Sequence, residues 1–265
     1  MNSIRVSMIA DEAPLSTAEG ISRIERYAET ESLKGSRVLC FPEAYLTGYG
    51  TDEEHLDRAL SVRNGETDRL REVAARYDVD LLAGFLEKTE DGRLFVTQGL
   101  FRPDGTAEYY RKTHLGEREK RVFSAGAYLP VFTLGCGLRA GIALCVENHF
   151  PEIAQTLSLR GAEVIFVPHA VPGGVSERAG IWKKYVPARS YDNRIYMLCC
   201  NLVTGNSGGG LYGTGPDGCE ILPFSAEKGA RSADLDPREV GKYHEPSAGM
   251  RYRYYPAQRR SSLYE

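Results

Sequence analysis

Apolar positions along the chain fall in short blocks separated by stretches of helical spacing. "IRVSMIA" (4–10), "RVLCFPE" (37–43) and "VDLLAGFLE" (79–87) are near-continuous apolar runs of strand length, the pattern of strands covered on both faces. Between them, 18–33 and 66–77 repeat apolar residues at helical intervals, and Ser16 or Thr17 can cap the first. "LFVTQGLFR" (94–102) and "TAEYYRK" (106–112) flank the turn "PDG", which predicts a hairpin. "VFTL" and "LRAGIALC" flank "GCG" (135–137) and predict a second. Helix is expected over 150–160 and 176–193, and strand over 162–170 and 195–203. A glycine-rich meander follows from 205 to 222.

No Pro/Ser linker, low-complexity block or repeat divides the 265 residues, so one α/β domain with a mixed sheet is expected over 1–265. The tail "MRYRYYPAQRRSSLYE" (250–265) lacks helical period and is rich in Tyr and Arg. Base stacking on RNA is one reading of such a tail. An arm over 246–265 packed on the body or on a second subunit is the better one, because net charge is −3 and no other basic surface accompanies it.

Composition excludes little else. The apolar fraction of 42% and the charged fraction of 26% are ordinary for a globular chain. No nucleic-acid partner and no membrane are expected, since there is no basic field and no apolar run of spanning length. The N-terminus enters a strand at once, so a cytoplasmic location is expected. Six cysteines without a C-x-x-C pair read as reduced thiols, and five histidines without ligand spacing argue against zinc. No cofactor is expected.

One cysteine stands apart. In "GIALCVENHFPE" (141–152) a buried strand turns polar within three residues, and Cys145 sits where it ends. A nucleophilic thiol needs a proton acceptor or a positive neighbour. His149, His114 and His169 are candidate acceptors, so a Cys–His hydrolase stays open on residue types alone. Two other strand ends offer a different set: Glu43 after "RVLCFP" and Lys112 after "AEYYR". In open α/β sheets, such ends are where reactive groups gather.

These segments resemble the nitrilase superfamily of carbon–nitrogen hydrolases. "FPE" followed by "TGY" is similar to its glutamate motif, "YRKTHL" to its lysine motif, and the C-x-E with "FPE" of 145–152 to its cysteine motif. The resemblance runs from about residue 4 to about residue 240 and implies a four-layer αββα sandwich that associates, as a homodimer or larger, through the face extending the sandwich. It also implies Glu43 as general base, Lys112 as cationic stabiliser and Cys145 as nucleophile. A second glutamate in the following loop is implied as well, with Glu119 fitting "EKRVFSAG" better than Glu117. Lys112 is expected to favour the thiolate, and the Val146 N–H to join Lys112 at the oxyanion. Glu147, His149, His169 and Tyr49 are expected to line the substrate pocket, with Trp182 as wall or core. For Glu147, pocket lining and helix capping are equally open, whereas Asn148 reads as the cap of the next helix. The implied substrate is a small polar amide or carbamoyl compound hydrolysed with water through a thioester. A nitrile substrate or a catalytically silent scaffold is the alternative.

Overall fold

A computed structural model describes residues 3–172, 174–203, 209–244 and 254–263. Its first sheet contains β1 (Ile4–Ala10), β2 (Ser36–Cys40), β3 (Asp80–Lys88), β4 (Leu94–Phe101), β5 (Ala107–Arg111) and, late in the chain, β12 (Gly229–Leu235). The second contains β6 (Phe132–Thr133), β7 (Arg139–Ile142), β8 (Val164–His169), β9 (Tyr196–Asn201), β10 (Gly210–Thr214) and β11 (Glu220–Ser225). Among the described residues, six α-helices accompany them: α1 (Thr17–Leu33), α2 (Glu53–Asp57), α3 (Gly65–Tyr77), α4 (Pro151–Leu159), α5 (Val175–Asn193) and α6 (Pro237–His244).

The strand orders are β12-β1-β2-β3-β4-β5 and β11-β10-β9-β8-β7-β6. Each sheet has a parallel centre, β1-β2-β3 in one and β7-β8-β9 in the other, flanked by antiparallel strands. Parallel pairing needs crossovers, and the α1, α3, α4 and α5 segments supply them. Three apolar layers result. Val6, Met8, Val38, Leu82, Ile142, Phe166 and Leu198 pack between the two sheets. Ile21, Ile24, Leu70 and Val73 bury the outer face of the first sheet. Ile153, Leu157, Trp182 and Val186 do so for the second. The arrangement is helix, sheet, sheet, helix, the four-layer sandwich the resemblance implies.

Local chemistry sets the helix starts. Ser16 is the N-cap of α1, its side chain accepting from the Glu19 N–H, and Asn64 caps α3 in a reciprocal box with Thr67. Asn148 does not cap α4. That helix starts at Pro151 after an extended Phe150 that makes no side-chain cap, and Asn148 lies in the preceding 3₁₀ turn, Cys145–His149. Proline at the first turn has no N–H to satisfy, so the helix needs less of a cap.

β12, α2 and α6 escape the sequence pattern. β12 presents mostly polar or half-exposed residues because it is an edge strand paired only with β1, antiparallel from Ile4↔Leu235 to Ala10↔Gly229. α2 is five residues long and has no buried residue. Of the expected arm, only 254–263 lies within the described residues. There the Tyr254 hydroxyl is 2.8 Å from Ser158 Oγ of α4, and Tyr255 faces Tyr191 of α5 with ring centroids 6.5 Å apart.

Close approach in the first sheet positions the turn after β2. A Cβ on Gly84 of β3 would lie 2.8 Å from the Pro42 oxygen and closer still to the Ala44 nitrogen. Real Cβ atoms do not come so near backbone, so only glycine lets the Glu43 turn lie flat on the sheet. Gly84→Ala should therefore lower unfolding stability by about 1–3 kcal/mol in urea titration and cost activity in the remaining folded protein. An unchanged midpoint would show that the turn can move away freely.

Candidate active site

Glu43, Lys112 and Cys145 come from three strand ends on two sheets, and the sandwich brings them together. Glu43 follows β2, Lys112 follows β5, and Cys145 lies three residues past β7. Lys112 is 2% exposed and Glu43 1%. The Lys112 ammonium donates to Glu43 Oε1 at 2.8 Å and to Glu119 Oε1 at 2.7 Å. Glu119 is itself held by the Tyr49 hydroxyl at 2.8 Å and by the Gly116 N–H at 2.5 Å. Glu119 is buried, whereas Glu117 is exposed and pairs with Lys120, so the geometry selects Glu119 from the two loop glutamates.

Backbone strain marks the same place. Cys145 and Ala44, the residue after Glu43, both adopt φ 49°, left-handed values uncommon outside glycine. Each turns the chain sharply where a side chain is presented. Cys145 opens the 3₁₀ turn Cys145–His149.

Electrostatics at the sulfur act in both directions. Burial pushes the Cys145 thiol up to about 12, the Glu43 charge adds to this, and Lys112 opposes it without prevailing. Lys112 acts in the expected direction, favouring the thiolate, but burial first and the Glu43 and Glu119 charges after it act the other way. Burial likewise raises Glu43 above the ordinary carboxylate value, partly offset by Lys112. Burial alone would lower Lys112, but Glu43, Cys145 and Glu119 hold it raised and charged.

The largest influences on the Cys145 thiol are burial and the charges of Glu43, Lys112, Glu119 and Arg178, with no histidine among them. His149 is exposed and its ring lies 4.9 Å from Tyr185. His114 contacts Thr113 and stacks on Phe150 at 4.5 Å. His169 is fully buried, with Nδ1 2.8 Å from the Val167 oxygen and Nε2 accepting from Trp182 Nε1 at 3.3 Å. Burial, with Arg178 adding, depresses His169 to about 3. Both of its nitrogens are occupied, and with the buried Trp182 it forms wall.

Glu147 is the residue whose part sequence reasoning reads least well. It is 0% exposed. One oxygen accepts from the Tyr110 hydroxyl (2.7 Å), the Thr113 N–H (2.7 Å), the Thr113 hydroxyl (2.6 Å) and the His114 N–H (3.1 Å). The other accepts from the Leu144 N–H at 2.7 Å. A single carboxylate thereby ties the residue after Lys112 to the residue before Cys145. The capping reading holds in part, since Glu147 accepts the Leu144 N–H at the start of the 3₁₀ turn rather than at α4, but no local signal announces its partners more than thirty residues away. Val146 is half-buried beside the nucleophile candidate. No group of three or more His, Cys, Asp or Glu residues that could hold a metal occurs among the described residues.

A buried acid and cation with a half-buried thiol at the strand ends of a four-layer sandwich define a hydrolase of the thiol-dependent α/β class. Comparison with known proteins gives the family. The carbon–nitrogen hydrolase family model matches residues 6–244, and the chain belongs to that family, as an amidase-like member that hydrolyses carbon–nitrogen bonds. A nitrilase from Pyrococcus abyssi is 34% identical over 186 residues, covering 69% of this chain and 68% of that protein. An omega-amidase from Xenopus tropicalis is 25% identical over 280 residues, covering 100% and 98%. Among solved structures, a mutant of the amidase from Nesterenkonia sp. AN1 in complex with butyramide superposes with a TM-score of 0.79 at 25% identity, covering 99% of this chain and 96% of that one. A carbon–nitrogen hydrolase from Helicobacter pylori G27 shares the fold, with a TM-score of 0.85 at 18% identity over 99% and 97% of the two chains.

Replacing Glu147 tests its bridging part. Glu147→Ala removes the acceptor of five donors, of which the Tyr110 hydroxyl and the Leu144 N–H are buried, and should cost about 2–3 kcal/mol of stability. Glu147→Gln should fold better yet lose activity, because an amide cannot accept at every one of these positions. Wild-type turnover in Glu147→Gln would show that the tie does not position the site.

Proposed function

We propose that the enzyme hydrolyses a small amide or carbamoyl substrate through a thioester on Cys145, with Glu43 as base and Lys112 as electrostatic stabiliser. The observation that carries this is the Lys112 ammonium held between two buried carboxylates beside a thiol. As the sulfur attacks the carbonyl carbon, its proton passes to Glu43, so the thiolate exists only as the S–C bond forms. Charge moves from sulfur to the carbonyl oxygen, where the Lys112 ammonium and the Val146 N–H meet it. One such donor is worth about 3–4 kcal/mol of barrier.

Glu43 next delivers its proton to the departing nitrogen, the C–N bond breaks, and ammonia leaves an acyl group on sulfur. Water then attacks the thioester, giving its proton to Glu43, and the carboxylic acid (a carbamic acid from a carbamoyl substrate) departs as the thiol is restored. Glu119 holds Lys112 in place and, with Tyr49 fixing it, is positioned to orient the water. The strained Cys145 backbone supports the nucleophile assignment, since strain of about 1–3 kcal/mol persists where the surroundings impose it. The named relatives, a nitrilase and amidases, support the reaction class. A reducing cytoplasmic setting suits a mechanism that needs a free thiol. Assembly through the α4–α5 face belongs to the same reading. Tyr191 and Leu159 are exposed on that face.

Ammonia release should be abolished in Cys145→Ala across a panel of amides, carbamoyl compounds and nitriles, and hydroxylamine should intercept the wild-type acyl group as a hydroxamate. Silence of the wild type across the panel would favour a scaffold instead. Glu43 must be ionised to accept the proton, and burial raises its pKa. Activity should therefore fall as pH drops through a value above the ordinary 4.5. Glu43→Gln should remove that limb and lower kcat by roughly 10²–10⁴.

A further inference from the structure

We propose that Gln98 is a positioning residue for the reaction: reaching from β4 across Gly84 of β3, its amide fixes the turn that presents Glu43, and it acts on catalysis through that glutamate. This rests on Glu43 being the base. Gly84, Gln98 and Tyr110 stand in register on β3, β4 and β5, so their side-chain positions share one face of the sheet. Val96 and Leu100, two residues to either side of Gln98, place that face between the two sheets. From this row Tyr110 reaches the Glu147 carboxylate in the Cys145 turn, at 2.7 Å. Gln98 reaches the other way. Its Nε2 donates to the Phe41 oxygen at 3.2 Å, although β3 separates β4 from β2. Glycine at position 84 makes the span possible, since a Cβ there would stand 2.7 Å from Gln98 Oε1.

The hydrogen bond falls where the Glu43 turn leaves the sheet. The Phe41 N–H closes the β2–β3 ladder on the Leu82 oxygen at 2.8 Å, and the chain returns to β3 at Leu46, whose N–H donates to the Gly84 oxygen at 2.9 Å. Between them Pro42 has no N–H to give, and Ala44 holds φ 49°. Gln98 and the Leu46 N–H therefore grip the turn on either side of Glu43. Stability alone does not account for an amide at this position. Gln98 is 0% exposed, and among the described residues its Oε1 has no hydrogen-bond partner. An apolar side chain of the same length would not carry that deficit. Placement of the carboxylate matters because the Lys112 ammonium donates to Glu43 Oε1 at 2.8 Å, and reacting groups tolerate little displacement.

Gln98→Met keeps the length of the side chain and removes the amide. Its urea midpoint should stay near that of the wild type, because the unpaired Oε1 is lost together with the donor to Phe41. On the fastest substrate of the panel, kcat should fall about 10- to 100-fold with KM little changed. The acid limb of kcat should also move to higher pH. Lys112, Glu119, Glu147, Cys145 and Tyr49 are the titratable groups that act with Glu43. Lys112 lowers the Glu43 pKa, so loosening that contact leaves burial to raise it further. Hydrogen exchange at the Leu46 N–H should quicken about 10-fold, while that of Phe166 in the second sheet stays as it was. Gln98→Asn, an amide one methylene too short for the span, should behave as Gln98→Met does. In an active enzyme, an unchanged kcat and acid limb, or unchanged Leu46 exchange, would overturn the proposal. So would a general loss of stability that quickens both amides together. Faster Leu46 exchange in the variant beside a wild type that releases no ammonia would retain the anchoring by Gln98 and refute the hydrolytic reading. Wild-type turnover that is lost in Glu43→Gln but kept in Gln98→Met would do the reverse.

Discussion

The two hydrogen bonds of the Lys112 ammonium, to Glu43 and to Glu119, are the constraint on which the rest of the site depends. An ammonium taken out of water is costly unless it is paired and fully hydrogen-bonded. Here the two carboxylates supply the compensation, and each is secured by its own element. Glu43 stands on a turn pressed against Gly84, and Glu119 is anchored by Tyr49 and the Gly116 N–H. Lys112 consequently has one position, which the proposed mechanism uses at the oxygen where charge would develop.

Burial, with the Glu43 and Glu119 charges, raises the Cys145 thiol, and Lys112, shared between two carboxylates, opposes them. Under the proposed mechanism, proton removal is coupled to bond formation, which suits a base whose own affinity for protons is raised by burial. Glu147 supplies the mechanical counterpart by joining the Lys112 strand end to the Cys145 turn across the two sheets. Chemistry and scaffold are thus held by buried carboxylates of different kinds, one set around an ammonium and one around backbone N–H groups and hydroxyls.

Much of the sandwich was legible along the chain. Buried parallel strands such as β3 and β8 are continuous apolar runs bounded by turn residues, and helices such as α1 carry their own caps. β12 was not legible, because an edge strand exposes polar side chains and owes its existence to β1. Asn148 read as a cap because its residue type suits one, but Pro151 and an extended Phe150 put the helix start elsewhere.

By itself the sequence determined which residue types stand at the ends of strands, and hence that an acid, a lysine and a cysteine were available. Those assignments depend on nearest neighbours, which a linear pattern records. Only the tertiary structure decided that Glu119 rather than Glu117 reaches Lys112, that His169 is buried with both ring nitrogens engaged and that burial raises the Cys145 thiol. Each of these turns on distance and burial between segments far apart in the chain, and solvation in a shared crevice cannot be read from either segment alone.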